Sequence, residues 1–131
     1  MEDKIITIEE GIPGFEELTK FIIEESEHEK FYYLQSIEDE SIGFVIVDPY
    51  KYREDYAPKI NESYFAKLGG GSDDVFVVYA ILTLGRTLID TTINLKAPIL
   101  IHTETKQGAQ VILENQDYAT KTKFEVKEWW V

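Results

Sequence analysis

Residues 91–113 read TTINLKAPILIHTETKQGAQVIL, and this stretch decides the fold. Ile93 and Leu95 alternate with Thr92, Asn94 and Lys96, the period of two shown by a strand with one face buried and one wet. Ala97 and Pro98 mark a bend or an edge position, because proline has no N–H to give a sheet ladder. Ile99, Leu100 and Ile101 begin a second strand rich in β-branched residues. Lys106, Gln107 and Gly108 supply turn chemistry, and Gln110, Val111, Ile112 and Leu113 return to extended character. The spacing predicts a meander.

Upstream the same pattern repeats. Residues 75–83, VFVVYAILT, are apolar on both faces and predict a central strand, with Gly85 and Arg86 turning it towards Leu88. Residues 31–37 and 42–48 predict a hairpin with Glu38, Asp39, Glu40 and Ser41 at its tip. In its second strand Phe44 and Ile46 face one way and Val45 and Val47 the other, so both faces must be covered. Asp48 before Pro49 ends that strand. Nearer the N-terminus, residues 4–8 predict a short strand, GIPGF at 11–15 a turn, 16–20 a single helical turn, and 21–23 another strand before a polar loop over 24–30. The one convincing helix covers 60–68, with Asn61 as cap, Ile60 stapled to Phe65, and Gly69 as stop. Lys123 opens a final extended tract that ends in Trp129, Trp130 and Val131. Eight to ten short strands with one helix predict a mainly β chain, a single-domain antiparallel β-barrel or sandwich spanning residues 1–131.

Charge and composition exclude several function classes. A net charge of −12 repels a nucleic-acid backbone and attracts basic surfaces, so no direct nucleic-acid contact is expected. The run YKYREDY at 50–56 resembles a base-stacking platform, but Glu54 and Asp55 offset Lys51 and Arg53, which favours a loop of half-buried tyrosines. The absence of cysteine removes disulfides, zinc-thiolate sites and thiol nucleophiles. No signal-peptide pattern and no apolar run of about 18 residues occurs, so a cytoplasmic protein without a membrane partner is expected.

Catalytic signals are missing as well. Gly69, Gly70 and Gly71 are followed by aspartates instead of the Lys-Ser/Thr of a phosphate loop, and Asp73 and Asp74 lack the ligand spacing of a calcium loop. His28 and His102 are the two histidines, and His102 reads as a hydrogen-bonded strand-end residue. No catalytic, cofactor or metal residue is assigned, and no enzyme activity or cofactor is expected.

The order Thr92, Ile93, Asn94, Leu95, Lys96, Ala97, Pro98, Ile99, then Gly108, Gln110, Val111, Ile112 and Leu113, resembles the FliW family of flagellar assembly factors. GIPGF followed by Glu16, then Leu34, Gln35 and Ser36, then FVIVDP at 44–49, match further landmarks of that family in order. The resemblance covers about residues 5–118. It implies a regulatory binding protein with two partners, the small basic RNA-binding regulator CsrA and flagellin. Flagellin held inside the cell would occupy the factor, and its export would free the factor to antagonise CsrA and raise flagellin translation. Family members carry a further N-terminal strand before the segment that here begins at Lys4, which puts closure of the barrel at that edge in question.

A stable interface needs on the order of 800 Å² per partner, within reach of one sheet face and its loops. Candidate partner-binding residues are Asn94 and Lys96 with the Asp48-Pro49 loop, and Ile12 and Phe15. Each has a plain structural alternative: Asn94 satisfying a strand edge, Asp48 capping a turn, Ile12 and Phe15 plugging the core. A monomer is expected. The second function class is a barrel that holds a small apolar ligand, suggested by an aromatic share of 13% and by strands apolar on both faces. A filled interior would remove it.

Overall fold

Seven strands close into a barrel because each turns apolar side chains inward while its neighbours satisfy its backbone. The computed structural model describes residues 4–26, 31–87, 90–114 and 116–123. His28, Leu88, Trp129, Trp130 and Val131, and with them the tip of the 24–30 loop and the final extended tract beyond Lys123, lie outside the described residues. The strands are β1 (Ile6–Ile8), β2 (Lys20–Glu25), β3 (Tyr32–Ser36), β4 (Gly43–Val47), β5 (Phe76–Thr83), β6 (Thr92–Ile93), β7 (Ile99–His102), β8 (Gln107–Gln110) and β9 (Thr122–Lys123), with one helix, α1 (Glu62–Leu68). The order β4-β3-β2-β1-β8-β7-β5 is closed by pairing of β5 back onto β4, and β6 and β9 extend one rim. The mainly β barrel with one helix is therefore present.

One pairing departs from the antiparallel expectation. β1 runs parallel to β8, with Thr7 opposite Gln107 and Ile8 opposite Gly108, so the barrel is mixed. Antiparallel geometry is natural for hairpin neighbours, whereas β1 and β8 are separated by most of the chain and no short turn constrains their direction. This pairing also answers the question of the open edge. β1 has β2 on one flank and β8 on the other, and the ring closes through it.

The barrel interior is filled by Ile6, Ile8, Phe21, Leu34, Ile46, Ile99 and Ile101, all nearly devoid of exposure. A second core lies outside the β4, β5, β7 and β8 wall, where Val47, Ala80, Leu82, Leu100 and Val111 are covered by Tyr52, Tyr56, Leu68 and Leu113. β4 explains why both are needed. Phe44 and Ile46 belong to the inner cluster, Val45 and Val47 to the outer one, as the two-faced apolar pattern requires. Helix α1 covers that outer wall. The Asn61 side chain accepts the Ser63 N–H at its start, and Gly69, at φ +131°, stops it.

The stretch 91–113 differs in detail from its sequence pattern. Only Thr92 and Ile93 are regular strand before the bend. Tyr79 pairs with Ile99 and Leu82 with Ile93, so two residues of β5 face five of the bent chain, and 94–98 forms a bulge. Asn94 holds the bulge, its side chain accepting the Ala97 N–H at 3.0 Å. The turn expected at Lys106, Gln107 and Gly108 lies earlier, over 103–106, with Lys106 at φ +61°, and Gln107 and Gly108 already belong to β8. His102 draws the turn back by accepting the N–H groups of Glu104 and Thr105. Residues 16–20 form no helical turn. There the Glu16 carboxylate accepts the Gly14 N–H at 2.8 Å, which satisfies the loop locally instead.

Candidate interaction site

The residues that carry the family pattern are fold residues first. Leu34 points into the barrel with no exposure, the Gln35 amide donates to the carbonyls of Ser36, Glu40 and Ile42, and the Ser36 hydroxyl accepts from Glu38 and Asp39. Together they lock the β3–β4 hairpin. In GIPGF, Ile12 is 4% exposed and Phe15 meets the edge of Phe44 at 5.4 Å between ring centres. Gly11 sits at φ +70° against the Glu16 backbone.

Two clefts open at opposite ends of the β4–β5 pair. At the end where β4 stops, Asp48 turns the chain by accepting the Tyr50 N–H at 2.9 Å, and Pro49 is buried as the first residue of a 3-10 turn. This cleft, about 510 Å³, is walled by Tyr50, Ile60, Phe65, Phe76 and Val78, with Asp48, Asp73 and Lys51 also lining it. The phenols beside Asp48 resist ionisation. Burial pushes Tyr52 up to about 12, and the Asp48 carboxylate adds to the effect there and at Tyr50 and Tyr79.

The second cleft, about 620 Å³, brings Ile12 and Asn94 together with Pro13, Phe44, Leu84 and Ile112. Leu84 and Ile112 are exposed to 57% and 47%, an apolar pair that the alternation of their segments does not announce. Lys96, within the bulge, is half-buried and its carbonyl accepts the Leu113 N–H at 2.9 Å. The six candidate residues are thus split. Asp48 lines the first cleft while Pro49 is buried in the 3-10 turn beside it, Ile12 and Asn94 line the second, Phe15 packs behind the second through Phe44, and Lys96 lies in the chain next to Asn94.

The chemistry of these clefts is that of surfaces. His102, 2% exposed, has both ring nitrogens engaged by backbone: Nε2 donates to the Gly70 carbonyl at 2.8 Å and Nδ1 accepts from Glu104 and Thr105. It clamps the glycine run after α1 to the β7–β8 turn. Among the described residues no group of three or more histidines and carboxylates could hold a metal, and no helix is long and apolar enough to cross a membrane. The barrel interior has no room for a ligand beside Phe21, Leu34, Ile46 and Ile99, each without exposure, and both clefts lie at its rim and outer wall.

The chain is thus a filled, mixed β-barrel of net charge −12 with clefts at its rim and outer wall. Its family follows from comparison: the model of the FliW protein family matches residues 1–124, and the chain belongs to that family. A Thermotoga neapolitana protein called flagellar assembly factor FliW is 44% identical over 123 residues, covering 92% of this chain and 82% of that one. A Caldicellulosiruptor saccharolyticus protein of the same name is 38% identical over 117 residues, covering 89% and 77%. A crystal structure of the flagellar assembly factor FliW superposes with a TM-score of 0.90 at 34% identity, covering 98% of this chain and 90% of the other.

Proposed function

We propose that this chain is a cytoplasmic flagellar assembly factor that acts by binding two proteins, a CsrA-type translational regulator and flagellin, and not by catalysis. Family membership carries the reading, and the net charge of −12 supports its electrostatic half. An acidic domain docked on a basic RNA-binding dimer gains encounter rate and sets negative charge beside the RNA path. With a Debye length of about 8 Å at physiological salt, carboxylates near the RNA dominate, so antagonism does not require covering the RNA site. Flagellin competes for the same factor, which couples flagellin level to its own translation. The residues proposed for partner contact are Asn94, Lys96, Ile12 and Phe15 at the second cleft, where the exposed Leu84 and Ile112 also lie, and Asp48 and Pro49 at the first.

Titration calorimetry with the purified CsrA-type regulator of the same organism, at low and high salt, tests the reading. Saturable binding that weakens with salt, followed by release of a bound RNA, is expected. No heat at either salt removes the regulator as partner, and the same titration with flagellin then decides the other half.

A further inference from the structure

β4 and β5 are paired through Val45 with Leu82, Ile46 with Ile81 and Val47 with Ala80. Two residues further on, that register would set Pro49 opposite Val78. Proline has no N–H to give, and Asp48 has already turned the chain into the 3-10 turn, so the ladder stops. On the other flank the Thr103 N–H donates to the Val75 carbonyl at 2.7 Å, which fixes the phase of the β5–β7 ladder. The peptide groups of Val77 and Tyr79 therefore point to β7, and those of Phe76 and Val78 point away from it. The Phe76 N–H is taken by the Asp73 carbonyl. The Val78 N–H and carbonyl face the first cleft, with no strand opposite them among the described residues.

Burial agrees. Phe76, Val77, Val78 and Tyr79 are all half-buried, whereas every residue of β7 beside them is buried. Among the described residues no strand pairs with this stretch of β5 on the β4 side: over Phe76 to Tyr79, four residues or about 13 Å at about 3.3 Å per residue, the Phe76 carbonyl and the Val78 N–H and carbonyl are left towards the first cleft. The cleft is chemically specific. Tyr50 and Phe65 offer aromatic walls, and Asp48 and Asp73 outnumber Lys51 in the lining.

We propose that this cleft binds an extended, basic segment of a partner protein by strand addition alongside Val78. Backbone hydrogen bonds to Val78 supply the register. One apolar side chain of the segment rests between Tyr50 and Phe65, and a flanking lysine or arginine meets Asp48 and Asp73. Three observations select this occupant: an open edge accepts only extended backbone, the walls are aromatic, and both the lining and the whole molecule are acidic. The inference goes beyond the proposed function, since it holds whichever protein supplies the segment.

Amide spectra of the ¹⁵N-labelled full chain, titrated with a capped peptide of sequence lysine-valine-threonine-valine-lysine, test it. The Val78 amide is expected to shift and to gain protection from exchange, saturating with a Kd of about 1 mM, as suits a contact of few residues. The same peptide with glutamates for lysines, or with its central amide N-methylated, should bind at least about tenfold more weakly, a loss of about 1.4 kcal/mol or more. Asp48→Asn with Asp73→Asn should erase the preference for lysine, and Asp48→Asn keeps the acceptor for the Tyr50 N–H. Val78→Pro should abolish binding while the remaining barrel amides hold their positions. Shifts that map away from Val78, equal binding of the N-methylated peptide, or no shift up to about 5 mM peptide overturns the proposal. So does concentration-dependent dimerisation that Val78→Pro abolishes, because the edge then serves a second copy.

Discussion

His102 Nε2 donates to the Gly70 carbonyl at 2.8 Å across 32 residues of chain, tying the glycine run after α1 to the end of β7. Its ring also meets the edge of Phe76 at 4.8 Å between centres, so one buried imidazole joins helix, turn and β5. His102→Ala leaves the Gly70 carbonyl and two N–H groups without their partner and is expected to cost about 3 kcal/mol. His102→Asn should recover about 1 kcal/mol, because an asparagine side chain can accept from the N–H groups of the following turn. Urea unfolding of the three proteins checks the order, and equal midpoints would refute the clamp.

Tyr56 donates to the Leu95 carbonyl at 2.8 Å from a buried position, and burial raises the pKa of both Tyr56 and Tyr52, the latter to about 12 from 10.0. The folded state therefore holds phenolic protons that the unfolded chain releases. This contribution is complete below pH 10 and is lost as pH rises towards about 12, at up to about 1.4 kcal/mol per pH unit for each tyrosine. Denaturation midpoints should fall steeply in that window, with the share of phenolate absorbance that belongs to Tyr52 and Tyr56 appearing as the fold is lost. A flat profile would contradict the burial of these phenols.

Gly11 and Gly14 both have positive φ, at +70° and +91°, but a Cβ on Gly11 would lie 2.5 Å from the Glu16 Cα while one on Gly14 meets open space. Gly14→Ala should cost about 1 to 2 kcal/mol for the left-handed backbone alone. Gly11→Ala should cost at least about 3 kcal/mol, since backbone must also move. Thermal melts of the pair separate the two causes.

Asn94 is both a candidate contact residue and the acceptor that holds the 94–98 bulge. Asn94→Ala is expected to lose about 1 kcal/mol of stability, and Asn94→Asp, which keeps an acceptor oxygen, to lose less. Calorimetry of Asn94→Asp with the CsrA-type regulator then isolates binding from folding. Unchanged affinity would assign Asn94 to the fold alone.

The amino-acid sequence by itself determined where β3, β4 and β5 lie, because alternation is a local property: Phe44 and Ile46 against Val45 and Val47 announce two apolar faces before any neighbour is known. It also determined the cap at Asn61, the stop at Gly69 and the acidic charge, each set by residue type and short-range geometry. The tertiary structure alone decided what depends on distant partners. No pattern within β1 or β8 states that they run parallel, since direction follows from closing the ring. The turn at 103–106 falls where it does because of His102, and the bulge because β5 has fewer residues to offer than the chain beside it. The clefts were equally illegible. Leu84 and Ile112 line one cleft only once the barrel has closed, and Val78 has no strand opposite it among the described residues only because β4 stops at Val47, before Pro49.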